Sequence, residues 1–447
     1  MQEAITHYHE LLTDELAQAS EAMLTDQLRR RGLVFGDRPL ATVLRPRFMT
    51  IERYRLLQGR VRVLMGAFGR AYGRAMADRA FRAQFRLAEW EERLIRHETG
   101  PEASPTSRVD AFVMDEAGTM ALTEYNAETP AGAGYNDALV AAFADLPIMR
   151  AFGRRYEAVP LLARHGVLHV LLDAYEAWAG RRERPRVAIV DWPDVPTRSE
   201  FVLFQEYFTA VGIETVIADP RELELRGGRL HGPGGPVDLV YKRVLLAELV
   251  ERCGEDTPLL QAVAARAVCM VNPPRCKILH KKASLAVLSD ERNAGLFTAE
   301  ERAAIAAHVP WTRVLEERRT EHGGRAVDLV PYVVAGRERL VLKPNDDYGG
   351  AGIVLGWTVD ATAWAQAVAD ALASPYIVQE RVDIPSEPYP SLVDGRAVFA
   401  ERMMDTAPFV CHGDYAEGCL TRLSTAALLN VTAGGGSTVP TFVVERR

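Results

Sequence analysis

Residues 108–132, RVDAFVMDEAGTMALTEYNAETPAG, carry polar side chains at strand positions where a buried core would favour apolar ones. FVM and MALTEY have the composition of strands, and DEAG between them is typical of a turn. A three-residue loop at residues 116–118 puts its glycine at the left-handed position that such loops favour. This hairpin has Asp115 opposite Thr119, and the same register extends along both strands.

On this register Asp110 lies opposite Glu124, and Arg108 lies opposite Asn126. Residues two apart share one face of a strand, so the four side chains converge. Two close carboxylates repel each other unless a cation lies between them, and carboxylate and amide oxygens suit Mg²⁺ or Mn²⁺ rather than zinc. Arg108 beside such a cation is placed to offset charge on a transferred phosphoryl group. The alternative is an exposed hairpin with surface charges, which leaves the glycine-rich TPAGAG at residues 129–134 unexplained.

The composition of the chain excludes several other classes of protein. Its 447 residues, 48% hydrophobic and 25% charged, are typical of a globular protein with two or three domains. A net charge of −7 argues against a nucleic-acid partner. No apolar run approaches the roughly 20 residues of a membrane helix, and the N-terminus lacks a signal-peptide core, so we expect no membrane contact and a cytoplasmic location. The five cysteines, without a CxxC pair, are expected to be reduced thiols.

Four regions follow from the periodicity of the chain. The first, residues 1–100, is helical, with apolar residues at three- and four-residue spacing. The second, residues 101–185, contains the polar hairpin and further helices. The third, residues 186–245, reads strand, helix, strand and predicts a small parallel sheet. The last, residues 246–447, alternates helices and strands.

Two aspartates close strands of the third region. Asp191 follows VAIV and Asp219 follows TVIA. Open α/β sheets bind ligands at this edge, but aspartates there also cap turns, and the sequence favours neither interpretation.

The chain has no GxxxxGK[ST] motif, and GGAGIVLG is not GxGxxG because Leu355 replaces the third glycine. A different pattern in the same segment, LVLKPNDDYGGAGIVLG, is nevertheless suited to binding a nucleotide. Lys343 ends a strand, and Gly349, Gly350 and Gly352 follow in a loop whose backbone N–H groups are able to fold over phosphates. The lysine supplies a point charge to them.

Two further segments fit the same nucleotide. Lys282 lies earlier in the chain, in ILHKKASLAVL. Gln379 and Glu380 end the later strand YIVQE, whose backbone is suited to pairing with an adenine edge.

This set of motifs, in this order, resembles the ATP-grasp ligases. It resembles more narrowly their circularly permuted branch, which includes the synthetase domain of glutathionylspermidine synthase. In ordinary ATP-grasp enzymes the metal-binding E-x-N follows the lysines and the glycine loop, whereas TEYN comes first here. The resemblance covers roughly residues 100–447. It implies a permuted α/β (α+β) ATP-grasp fold with a small parallel-sheet domain and a helical N-terminal region.

The resemblance also implies roles for individual residues. Arg108 steadies the transferred phosphate and the acyl phosphate. Lys281 stands where the family has an asparagine before its first nucleotide lysine. The implied Mg²⁺ ligands are Asp110, Glu124 and Asn126, and the implied ATP-binding residues are Lys282, Lys343, Gly349, Gly350, Gly352, Gln379 and Glu380, with the glycine loop matching residues 348–352.

The tail of the family closes over the site, and TRLST and the glycines at 434–436 match it. The resemblance therefore makes Arg422 a candidate for contact with a phosphate or a carboxylate. The triple glycine is equally well explained as a turn.

The activity implied by the resemblance is ATP-dependent ligation of a small amino-acid or peptide carboxylate to an amine. It requires ATP with Mg²⁺ or Mn²⁺, passes through an acyl phosphate, and yields ADP and phosphate. One alternative is a non-catalytic ATP-binding regulatory or scaffold protein of the same fold. Another is a kinase that stops at the phosphorylated product, which an amine requirement for turnover distinguishes from a ligase. The sequence is compatible with a homo-oligomer.

Overall fold

The structure, a computed structural model, has the mixed α/β fold that the sequence predicts. Within it, helices and strands alternate along most of the chain. The residues that it describes are 1–97, 99–100, 102–115, 117–346, 349–425 and 436–447.

The helices follow the predicted apolar spacing. A helix of 27 residues begins after Thr50, whose Oγ1 accepts the N–H of Arg53 at 3.2 Å. Within the described ranges the α-helices are α1 (Gln2–Leu11), α2 (Asp14–Arg30), α3 (Ile51–Ala77), α4 (Arg79–Arg82), α5 (Glu89–Leu94), α6 (Ala133–Ala144), α7 (Pro147–Phe152), α8 (Arg164–Ala179), α9 (Arg198–Ala210), α10 (Leu246–Cys253), α11 (Pro258–Ala264), α12 (Cys276–His280), α13 (Ala283–Ser289), α14 (Ala299–His308), α15 (Leu329–Ala335) and α16 (Ala361–Leu372).

The strands concentrate in three sheets, with short hairpins elsewhere. In the same ranges they are β1 (Val34–Phe35), β2 (Arg38–Pro39), β3 (Arg47–Met49), β4 (Thr106–Val113), β5 (Met120–Asn126), β6 (Tyr156–Pro160), β7 (Val187–Val190), β8 (Thr215–Ala218), β9 (Glu224–Arg226), β10 (Arg229–Gly232), β11 (Gly235–Pro236), β12 (Leu239–Lys242), β13 (Cys269–Val271), β14 (Thr312–Val314), β15 (Arg319–His322), β16 (Arg325–Asp328), β17 (Leu340–Pro344), β18 (Val354–Leu355), β19 (Tyr376–Glu380), β20 (Ser386–Val393), β21 (Arg396–Met404), β22 (Ala407–Cys411), β23 (Tyr415–Ser424) and β24 (Ser437–Arg446).

The largest sheet joins strands from distant parts of the chain. Its order is β20-β21-β23-β22-β4-β5, and β24 pairs with β23, β3 and β6. The N-terminal strand β3 therefore runs parallel to the C-terminal strand β24, with Arg47 opposite Thr441. The polar hairpin, β4 and β5, forms one edge of this sheet.

The second sheet is the small parallel sheet that the sequence predicts, in the order β13-β12-β7-β8. Its strand β7, VAIV, is buried at every position, as expected for a parallel strand covered on both faces. Strand β13 comes from residues beyond 245, so the sheet draws on chain from both sides of that position.

The third sheet, β14-β19-β17-β18, is antiparallel and carries the predicted nucleotide-binding strands side by side. Val341 on β17 pairs with Gln379 on β19. Trp364 of α16 is fully buried in the core beneath this sheet, together with Leu342 and Val378. Burial of this aromatic side chain fixes the helix against the two strands.

Two properties of the described residues concern membrane helices and thiols. No helix among them combines the length and the apolar character needed to cross a membrane. The cysteines are free thiols, as predicted.

Candidate active site

The polar end of the β4–β5 hairpin pairs as the sequence predicts. Asp110 lies opposite Glu124, and Arg108 lies opposite Asn126. The side chains also meet. Arg108 Nε donates to Asp110 Oδ1 at 2.8 Å, and Asn126 Nδ2 donates to Asp110 Oδ2 at 3.0 Å. The convergence of polar groups on one face of the hairpin is confirmed.

The turn end of the hairpin differs from the predicted register by one residue, because Val113 pairs with Met120. A β-bulge at Thr123 accommodates the difference. The carbonyl oxygen of Thr123 lies outside the regular ladder and accepts Lys343 Nζ at 3.3 Å. Bulges often redirect groups beside active sites, and this one joins the hairpin to the third sheet through Lys343. Glu116, in the predicted loop, lies outside the described residues.

Asp110 is an ionised carboxylate in a buried position. It is 4% exposed, and besides Arg108 and Asn126 it meets Arg422, whose Nη2 lies 2.8 Å from Oδ2. Burial by itself would raise the pKa of Asp110, but the guanidinium groups of Arg108 and Arg422 outweigh it and hold the pKa below its usual range.

Glu124 is the second carboxylate of the site. Its Oε1 lies 3.1 Å from Lys282 Nζ. Burial raises the pKa of Glu124, yet the ammonium groups of Lys282 and Lys343 oppose this, and the pKa is lowered overall although Asp110 is near. Two ionised carboxylates therefore lie on paired strands, each accompanied by a cation of the protein itself.

Lys343 occupies a desolvated position between two sheets. Its Nζ donates to Gln379 Oε1 at 2.7 Å, and Gln379 Nε2 donates in turn to Thr312 Oγ1 at 3.0 Å. Burial lowers the pKa of Lys343 to about 8, against the opposing effect of Glu124. An anionic ligand beside Lys343 favours its charged form and therefore raises the pKa of Lys343 again.

The glycines that follow Lys343 have backbone conformations that other residues rarely adopt. Gly349, Gly350 and Gly352 have φ of 66°, 80° and 68°. At Gly352 an added Cβ would also come 2.7 Å from Pro344 Cγ. These positions therefore require glycine for their geometry. Tyr348, where the predicted loop begins, lies outside the described residues.

These elements surround one cleft of about 180 Å³. It is lined by eight of the predicted residues: Asp110, Glu124, Lys343, Gly349, Gly350, Gln379, Glu380 and Arg422. Sequence reasoning missed its apolar lining, which includes Val341, Ile353, Leu355, Trp357 and Val382.

Four predicted residues are not part of the cleft lining. Arg108 and Asn126 contact Asp110, and Lys282 contacts Glu124, so each touches a carboxylate that faces the cleft. Arg108 also donates to the carbonyl oxygen of Ala131 through Nη1. The fourth, Gly352, packs against Pro344.

Asp405 is a cleft residue that the sequence did not reveal. It is 2% exposed and accepts both the backbone N–H and the Nε of Arg422 at 2.6 Å. Burial raises the pKa of Asp405, and Arg422 opposes this. The only signal in the sequence is one aspartate directly after a strand, in RMMDTAP.

Packing against a neighbouring helix explains the glycines of the segment after the hairpin. This corrects the interpretation that linked these glycines to the site. The N–H groups of Gly132 and Gly134 donate to Glu200 Oε1 at 2.7 and 3.0 Å. A Cβ at Gly134 would come 2.9 Å from Glu200 Cγ. The start of α6 thus needs glycine because a carboxylate from α9 caps it.

The two aspartates of the parallel sheet differ in environment. Asp219 caps a short helical turn by accepting the N–H of Arg221 at 2.9 Å. Asp191 is buried near Arg243, and burial raises the pKa of Asp191 to about 6. The capping interpretation fits Asp219.

A second group of metal-ligand side chains lies outside the hairpin. Among the described residues, Glu128, His280 and Asp346 approach closely enough to share an ion. Lys277 Nζ lies 3.0 Å from Glu128 Oε2 and 2.6 Å from Asp346 Oδ1. An ammonium group already bridges these carboxylates, so the group is an ion-pair cluster.

The chemistry of the cleft fits a nucleotide with a magnesium ion. Asp110 and Glu124 are hard oxygen donors in ionised form, and the amide oxygen of Asn126 is a third donor of this kind. Lys343 and the N–H groups of the glycines suit phosphate oxygens. The apolar wall suits a base, and Trp357 within it is stacked on the guanidinium of Arg381 at 4.4 Å.

Comparisons with known proteins identify structures of similar fold and a matching family. The chain resembles the apo structure of a glutathione synthetase-like effector, GSS30, from Globodera pallida, with a TM-score of 0.61 and 13% identity over 97% of this chain and 98% of that one. It matches D-alanyl-alanine synthetase A from Vibrio cholerae O1 biovar eltor with a TM-score of 0.28 and 9% identity, over 57% of this chain and 74% of that one. No curated protein matches at a significant level. The model of the family "circularly permuted ATP-grasp type 2" matches residues 107–424, more than half of the chain, and the protein belongs to this family.

Proposed function

We propose that the protein is an ATP-dependent carboxylate–amine ligase that works through an acyl phosphate and releases ADP and phosphate. Family membership supports ATP-dependent ligation in general terms. The observation that carries the proposal is that two ionised carboxylates, Asp110 and Glu124, face the same cleft as Lys343 and Arg422. Groups that bind a metal cation and groups that bind phosphate are required together for phosphoryl transfer.

In the proposed reaction a carboxylate oxygen of the substrate attacks the γ-phosphorus of ATP. The bond between that phosphorus and the β–γ bridging oxygen breaks, and ADP leaves. A neutral amine then attacks the acyl carbon, the bond from that carbon to the phosphate oxygen breaks, and the amine nitrogen loses a proton as the amide forms. No protein nucleophile is needed, so catalysis depends on positioning and electrostatics.

The residues of the cleft divide these tasks. Lys343 and the backbone of the glycine loop are proposed to hold the phosphates. Arg422 faces the cleft and opposes negative charge on the transferred group, while Arg108 orients Asp110 from behind. The Mg²⁺ ligands are proposed to be Asp110, Glu124 and Asn126; the metal, when bound, offsets phosphate charge.

The proposed substrates are a small amino-acid or peptide carboxylate and a small amine. A glutathionylspermidine synthase-like specificity is one member of this class, and it rests on the resemblance of the sequence motifs. We expect a cytoplasmic enzyme that acts on small molecules.

The test is ADP release by the purified protein with Mg-ATP and pools of amino acids, short peptides and polyamines. The matched variants are Asp110→Ala and Asp414→Ala, the latter removing an exposed carboxylate paired with Arg62. The proposal requires turnover that depends on both a carboxylate and an amine, that Asp110→Ala abolishes, and that Asp414→Ala retains.

Other outcomes point to other functions. Sustained ADP release with a carboxylate alone indicates a kinase. Tight Mg-ATP binding without turnover across the pools favours a non-catalytic nucleotide-binding protein. Absence of Mg-ATP binding would overturn the nucleotide site itself.

A further inference from the structure

The N-terminal helical region reaches into the nucleotide-binding half of the protein. Phe85, in the turn before α5, accepts Asn345 Nδ2 through its carbonyl oxygen at 3.0 Å. Glu91, within α5, is fully buried, and its Oε1 lies 2.7 Å from Lys281 Nζ. Both partners are sequence neighbours of predicted nucleotide-binding lysines, since Lys281 precedes Lys282 and Asn345 follows Lys343 by two positions.

Asn345 joins the two lysine segments directly. Its carbonyl oxygen accepts the N–H of Lys282 at 2.9 Å, and its side-chain Oδ1 accepts the N–H of Ala283 at 2.8 Å. Asn345 itself is 3% exposed. The start of α13, which carries Lys282, is therefore bonded to the end of β17, which carries Lys343.

A buried ion bridge supports this junction. Lys281 Nζ lies 2.7 Å from Asp346 Oδ2 as well as 2.7 Å from Glu91 Oε1. Lys277, one helical turn earlier, lies 2.6 Å from Asp346 Oδ1 and 3.4 Å from Glu91 Oε1. The two lysines are 4% and 1% exposed. Lys277 and Lys281 thus both bridge the carboxylates of Glu91 and Asp346.

The charges of this cluster balance. Its carboxylates are Glu91, Glu128 and Asp346, and its ammonium groups are Lys242, Lys277 and Lys281. Burial lowers the pKa of His280, beside them, to about 4, so it is uncharged at neutral pH. Removing one carboxylate leaves an uncompensated buried ammonium, which is far more disruptive than loss of a surface pair.

We propose that Glu91 is a positioning residue for nucleotide binding, which acts through Lys281 and Asp346 to fix Lys282 relative to Lys343. This inference rests on the proposed function, because it assumes that both lysines contact ATP. Glu91 and Asp346 supply the negative charge that the buried ammonium group of Lys281 needs.

The experiment measures Mg-ATP affinity by calorimetry, well below the unfolding midpoint of each variant. Glu91→Gln removes the carboxylate. Glu92→Gln is the matched control, because the carboxylate of Glu92 lies in the same helix and pairs with Arg82, at 2.9 Å, instead of with a lysine of the cluster. The double variant Glu91→Gln/Lys281→Asn removes one charge of each sign from the cluster.

Under the proposal Glu91→Gln binds Mg-ATP about tenfold more weakly than wild type, whereas Glu92→Gln stays within about twofold. The double variant recovers to within about threefold of wild type, because the charge balance returns. Equal affinity in Glu91→Gln and Glu92→Gln, or a double variant no better than Glu91→Gln, overturns the proposal.

Two further results are decisive. If Glu91→Gln does not fold, the charge-balanced double variant carries the test, and a folded double variant that binds about tenfold more weakly overturns the proposal. If the wild type binds no Mg-ATP, the proposed function and this inference both fail. If the wild type binds Mg-ATP and Glu91→Gln binds it equally well, only this inference fails.

Discussion

Arg422 and Asp110 form an ion pair of 2.8 Å across the largest sheet, from β23 to β4 with β22 between them. Asp405 holds the same guanidinium through Nε at 2.6 Å. Two carboxylates therefore fix Arg422 while it lines the cleft. A guanidinium held in this way is already oriented before negative charge develops beside it.

The contact of Asp405 with Arg422 predicts that substitution of Asp405 changes kcat but not the Kd of Mg-ATP. We expect Asp405→Asn to lower kcat for ADP release by about tenfold to a hundredfold, because a small displacement of Arg422 costs catalysis. The Kd of Mg-ATP is expected to stay within about twofold, since Lys343 is untouched. Steady-state kinetics and calorimetry check this, with Asp414→Asn as a surface control. A weaker Kd with unchanged kcat contradicts the assignment.

Glu124 predicts a change in magnesium dependence. We expect Glu124→Gln to raise the Mg²⁺ concentration needed for half-maximal ADP release by at least about tenfold, because a neutral amide replaces a charged ligand. The control is Glu102→Gln, which removes a carboxylate that pairs with His412. A magnesium titration at fixed ATP measures both variants. If the two titration curves coincide with that of wild type, Glu124 is not a metal ligand.

The hairpin shows how far the sequence leads. The pairing of Asp110 with Glu124 follows from the two-residue alternation of a strand, which is a local property. The bulge at Thr123 does not follow from it, because its carbonyl oxygen turns towards Lys343, which lies in another sheet.

The roles of Asp405 and Glu200, which the sequence did not reveal, also depend on contacts between distant parts of the chain. Asp405 lies beside Arg422 only because β21 pairs with β23, and Glu200 caps α6 only because α9 packs against it. Such contacts depend on the order of strands and helices in space. Asp405 and Glu200 do not belong to a local motif, so spacing along the chain does not reveal their roles.

Lys343 predicts that nucleotide binding takes up a proton. Its pKa is lowered to about 8, chiefly by burial, so at about pH 9 most of the free protein has Lys343 neutral. Phosphate favours the charged form, so Mg-ATP affinity is expected to fall as the pH rises through the folded pKa. Calorimetry at about pH 9 in buffers of different ionisation enthalpy measures the proton uptake.

The variant Lys343→Arg provides the contrast, because its guanidinium remains charged throughout this range. We expect it to bind Mg-ATP without the buffer-dependent heat. If wild type and Lys343→Arg show the same buffer dependence, the proton enters elsewhere and Lys343 is not the group that responds to the nucleotide.

His412 predicts a pH dependence of stability away from the cleft. Its Nδ1 lies 3.0 Å from Glu102 and its Nε2 lies 3.2 Å from Asp173. The hydrogen bond to Glu102 is the first cause that raises the pKa of His412, and Asp173 adds to it against partial burial. A raised folded pKa stabilises the protein fully below the unfolded value of about 6.5, and this stabilisation is lost as the pH rises through the folded pKa.

The informative substitution is His412→Asn, because His412 has φ of 55° and asparagine tolerates this left-handed conformation. We expect the free energy of unfolding to fall by about 1 kcal/mol at about pH 6, where the imidazolium bridges two carboxylates on partly exposed sites. At alkaline pH the difference from wild type is expected to shrink, since neutral histidine loses the ion pairs. Urea unfolding across this range measures it. A difference that does not change with pH would mean that His412 contributes packing alone.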